Sequence, residues 1–74
     1  MGQTIWMLRP SKDGGTDYVC FRDCQGHVEI LEGYHLPPQM PLIKTRLSLA
    51  ASQAQQRRDH LEHCLGYRHG PAVF

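Results

Sequence analysis

The sequence predicts an α+β fold: a small three-stranded antiparallel meander packed against one C-terminal helix. Three observations carry this. Thr16 to Arg22 alternates with period two. Turn-forming stretches, Ser11 to Gly15 and Asp23 to Gly26, flank that run. A stripe of Leu47, Ala50, Ala51, Ala54, Leu61, Cys64 and Leu65 follows helical spacing and stops at Gly66.

The elements follow in order. Residues 3–9 hold Ile5, Trp6, Met7 and Leu8, a β-branched and aromatic start that reads as a strand ended by Pro10. Asp13-Gly14-Gly15 supplies the turn. Residues 16–22 form the second strand, with Tyr18, Cys20 and Arg22 on one face and Val19 and Phe21 on the other. Gly26 suits the left-handed position of the next turn, and residues 27–31 return as the third strand. Residues 33–46 read as a loop, because Gly33, Pro37, Pro38 and Pro41 disfavour a central element, with Tyr34, Leu36 and Met40 folded down as a lid. The helix is expected over 49–65 with Ser48 as N-cap, or Ser52 with Gln55 as a capping box. Gly66 ends it, and the tail 66–74 returns to the sheet or the helix end. The expected core is Ile5 or Trp6, Leu8, Val19, Phe21, Val28, Ile30, Leu47, Ala54, Leu61 and Leu65. A shift of one residue would exchange the strand faces.

Composition narrows the function classes. Of the 74 residues, 41% are hydrophobic and 20% charged, which fits a globular chain. The longest apolar run, Ile5 to Leu8, is too short to cross a membrane, so no membrane insertion is expected. No basic stretch leads into an apolar segment, so no signal peptide is expected. Three cysteines are an odd number and favour a reducing, cytoplasmic setting. Burying about 4,400 Å² of apolar surface stabilises by about 110 kcal/mol. Ordering a chain of this length costs about the same. A fold so balanced gains from a metal, a second copy or a partner surface.

Four readings of the chemistry follow. A non-enzymatic interaction module, a small subunit or adaptor, would use Trp6, Tyr34, Leu36, Met40, Tyr67 and Phe74, since aromatics and Met are enriched in interfaces. Its partner is another protein or a second copy of the chain. The Trp6-Met7-Leu8 strand also reads as an edge open to another chain. A nucleic-acid binder would use Lys44, Arg46, Arg57 and Arg58 in the basic second half. Against it stand a net charge of +1 and the acids Asp59 and Glu62 on the same helix. A zinc-stapled module would use Cys20, Cys24, His60 and Cys64, two donors from a hairpin and two from a helix. The simpler account makes Cys20 and Cys64 small apolar fillers. Apart from that zinc, no cofactor is expected. An enzyme is not expected, because a meander and one helix enclose little volume.

Two stretches carry a family resemblance. The first is Ile5 to Pro10 followed by Tyr18-Val19-Cys20-Phe21-Arg22-Asp23. The second is Pro41 to Ser48, then Ala54, then Leu65-Gly66-Tyr67-Arg68 with Pro71 and Phe74. In order and spacing these resemble a family of short cyanobacterial proteins of unknown function. That pattern has an early Trp-Leu strand, Leu-Leu-Lys-x-Arg before a helix, and a Gly-aromatic-Arg end. Here Arg57-Arg58 stand where an aromatic is expected, and Tyr67 and Phe74 replace tryptophans. The resemblance implies a cyanobacterial, cytosolic setting and supplies no catalytic residue.

Overall fold

The computed structural model describes residues 3–74. Its centre is a five-stranded antiparallel sheet in the order β4-β3-β2-β1-β5. The strands are β1 Thr4–Pro10, β2 Thr16–Cys24, β3 His27–His35, β4 Leu42–Leu49 and β5 Arg68–His69. One helix, α1 Ala51–Cys64, joins β4 to β5. This corrects the three-stranded meander. Much of the expected 33–46 loop is strand, because β3 continues to His35 and β4 begins at Leu42. Only residues 36–41 remain as a connection, with a cis Pro37–Pro38 peptide inside a turn closed by Gln39 N–H to the Leu36 carbonyl at 3.0 Å.

The two hairpin turns follow their glycines. Ser11 and Gly15 close the first through Ser11 N–H to the Gly15 carbonyl at 2.8 Å, with Gly14 at φ 91°. Gly26 takes φ 79° in the second. A left-handed backbone costs glycine no side-chain clash.

Strand alternation splits the sheet into two faces. Toward the helix point Met7, Val19, Phe21, Val28 and Ile30, packed with Ala54, Leu61 and Tyr67. Ile5, Leu47 and Leu49 extend that core. One ladder, Ile5–Phe21–Ile30–Leu47, crosses four strands. Trp6, Leu8, Tyr18, Cys20 and Leu31 face the other way. The expected core is corrected accordingly. Ile5, not Trp6, faces the helix; Leu8 belongs to the back face; Leu65 is 41% exposed. Met7 and Tyr67 take their place. Tyr67 reaches the core because Gly66, at φ 77°, turns the chain beneath the helix end.

The back face has its own small aromatic cluster. Phe74 stands edge-on to Trp6, with ring centroids 4.8 Å apart, and 5.7 Å from Tyr18. The Tyr18 ring lies across Gly33, and its hydroxyl donates to the Leu42 carbonyl at 2.6 Å. A side chain on Gly33 would meet that ring and the Leu42 carbonyl. The pairing of β3 with β4 shifts at Glu32/Gly33, which leaves Lys44 without a partner residue, a β-bulge.

The helix begins at Ala51, not at 49, because Ser48 and Leu49 are strand. Its N-cap position is Ala50, in extended conformation, with no side-chain cap and no acid in the first turn. Its end is tied down instead. Arg9 donates to the Leu65 carbonyl and to Asp17, both at 2.9 Å, and lies 4.5 Å over the Tyr67 ring. Arg57 pairs with Glu32 on β3. Among the described residues, no helix is long and apolar enough to cross a membrane.

Two outcomes are expected in urea titrations. Ala50→Asp supplies the missing cap and raises stability by about 1 kcal/mol. Gly33→Ala forces Tyr18 or β4 to move and lowers stability by about 1–3 kcal/mol. A neutral result for Gly33→Ala would mean that the Tyr18 contact does not constrain the sheet.

Candidate functional site

The sheet has one long bare edge. β5 is two residues long and, with Gly70 N–H bonded to the Trp6 carbonyl at 3.1 Å, covers β1. The Trp6-Met7-Leu8 strand is therefore not the open edge that its sequence suggests, since Met7 and Leu8 pair with His69 and Arg68. β4 is different. It is eight residues long and terminal in the sheet, so among the described residues its outer backbone donors and acceptors have no strand partner. Exposed apolar side chains gather at its start: Met40 is 83% exposed, Leu42 60% and Ile43 41%. The accessible surface of the chain is 5145 Å²; a compact chain of this mass exposes about 4,650 Å². An uncovered edge and tip fit that excess.

Local sequence explains why β4 forms. Ile43, Thr45, Leu47 and Leu49 alternate with Lys44, Arg46 and Ser48. Leu47 and Leu49 reach the core beneath the helix, which fixes the register. The bulge then reverses the faces, and Ile43 pairs with Gly33 on the Tyr18 side. Lys44 places Nζ 5.5 Å from the Tyr34 ring centroid.

Tyr34 is pinned from the opposite side. Its hydroxyl donates to Asp13 at 2.5 Å, and Gly15 lies directly under its ring. That hydrogen bond, with burial and the charges of Asp13 and Asp17, pushes the phenol up to about 12. Asp13 is held below the usual carboxylate range by the same bond and by the Gly15 N–H.

The residues expected at a partner surface do not form one surface. Trp6 and Phe74 meet on the back face. Tyr67 is buried against the helix, so it presents no contact surface to a partner. Tyr34 stands on β3, Leu36 is half-buried and Met40 is exposed, so the 33–43 segment is not a lid. The basic set also divides. Lys44 and Arg46 share β4, whereas Arg57 is engaged by Glu32 and Arg58 donates to the Gln55 side chain at 2.8 Å.

The zinc set is separated by the sheet. Cys20 and Cys24 point to the face away from the helix, whereas His60 and Cys64 belong to the helix. Among the described residues no three His, Cys, Asp or Glu side chains are grouped to hold a metal ion. Burial also pushes the Cys20 thiol up, away from the thiolate that binds metal.

No family model, no curated protein and no solved structure matches the chain. The resemblance to short cyanobacterial proteins therefore rests on the short motifs at residues 5–10, 18–23, 41–48 and 65–74 alone.

The Tyr34–Asp13 bond sets a pH expectation. A phenol raised in the folded state favours folding fully below its ordinary value of about 10. That contribution fades as pH climbs through about 12. The Asp13 contribution is present above its ordinary value and is lost as pH falls through its lower folded value. In a tyrosine absorbance titration, Asp13→Asn is expected to bring one phenol back toward 10. An unchanged curve would show that Asp13 does not hold Tyr34.

Proposed function

We propose that this chain is a non-enzymatic protein-interaction module, a small subunit or adaptor, that works through the free edge of β4 and the apolar tip at Met40, Leu42 and Ile43. The observation that carries the reading is the bare eight-residue edge. An unpaired strand edge is a template for another chain; the bulge and Lys44 guard this one against indiscriminate pairing, and the exposed tip adds apolar area beside it. A cytoplasmic setting remains part of the proposal, as does the absence of catalysis. Met40, 83% exposed, contributes little to the fold and is free to contribute to a contact.

The double variant Met40→Asp with Ile43→Asp is expected to fold with a stability loss of about 1 kcal/mol or less. Capture of the native partner from cell extract, scored by quantitative mass spectrometry against wild type, is expected to drop at least about tenfold. Equal capture by wild type and a folded double variant would remove β4 from the interface.

A further inference from the structure

We propose that the free edge of β4 receives an acidic, extended peptide segment, which joins the sheet as a sixth strand. This rests on the protein-interaction reading and assigns it one partner chemistry. The backbone argument comes first. A row of unpaired N–H and C=O groups is matched only by another extended backbone. The charge argument selects its composition. Leu42–Leu49 carries Lys44 and Arg46 and no acid. The neighbouring acids on β3 are already engaged, Glu29 by Arg22 at 3.6 Å and Glu32 by Arg57. Among the described residues, neither Lys44 nor Arg46 has an ion-pair partner. Acids on an added strand would neutralise both.

The same charges disfavour the two longest in-phase registers of β4 against a second copy of itself. Antiparallel self-pairing centred on Thr45 sets Lys44 opposite Arg46. Centring on Arg46 sets that residue opposite itself. Like charges directly opposite destabilise a strand pair. A nucleic acid fits less well, because two cations neutralise few phosphates and the flanking Met40, Leu42 and Ile43 match apolar side chains.

The test uses the full chain and dye-labelled, end-blocked octapeptides read by fluorescence anisotropy and amide chemical shifts. An alternating Glu-Val peptide is expected to bind and to shift amides in residues 42–49. Raising salt is expected to weaken it. Lys44→Glu with Arg46→Glu is expected to weaken it about tenfold or more, as two lost ion pairs imply. Lys44→Ala with Arg46→Ala serves if the reversed charges disturb folding. Backbone N-methylation of the peptide is expected to abolish binding. Equal binding of a Ser-Val peptide would overturn the acidic preference and leave the interaction reading intact. No peptide binding, with partner capture still dependent on Met40 and Ile43, would overturn strand addition alone and assign the two cations to guarding the edge. Tighter binding of oligothymidylate at the same residues would overturn both readings.

Discussion

Tyr18 lying across Gly33 is the contact on which the rest of the structure turns. The ring is fully buried although it sits on the face without a helix. Gly33, lacking a side chain, lets it lie flat, and the hydroxyl fixes the Leu42 carbonyl at the start of β4. An aromatic over a strand glycine restores the packing that the glycine lacks. The bulge lies at the same point, so three strands are pinned by one side chain. The ring also supplies the floor for Trp6 and Phe74.

The helix side depends on a different economy. α1 buries only Ala54 and Leu61, one turn either side of Arg57 and Arg58. Such a thin stripe gives little apolar burial, and polar ties complement it. Arg9 links β1, β2, the helix end and Tyr67 through two hydrogen bonds and a ring contact. Arg57 links the helix to β3 through Glu32. These arginines are engaged within the fold, whereas Lys44 and Arg46 on β4 have no ion-pair partner among the described residues.

β2 and the first half of β3 are legible from period-two patterning and β1 from its apolar, β-branched start, each beside a glycine turn. β3, however, runs on to His35, beyond the expected residue 31. Val19, Phe21, Val28 and Ile30 face the helix as the alternation implies. β4 was hidden by its neighbours. Pro37, Pro38 and Pro41 extend the loop signal too far, and Ser48 offers a cap that tertiary pairing overrides. Yet Ile43, Thr45, Leu47 and Leu49 alternate cleanly, and that pattern was the available sign. β5 is held by pairing with β1 and has too few residues to leave a local signal. Residue type marks candidate partner contacts, and type does not say which face a side chain takes. Trp6 and Phe74 were paired on the back by the strand register and the path of the tail, while Tyr67 was drawn inward by the turn at Gly66.

The bulge makes β4 an edge without translational symmetry. A regular strand lets a visiting chain slide by two residues and meet the same pattern again. Here Leu47 and Leu49 face the helix, Lys44 falls out of step, and Ile43 faces the opposite side. A strand laid along β4 therefore keeps its own alternation in step with both halves only where it passes over Lys44 as β3 does. The bulge is a notch that a visiting backbone has to match.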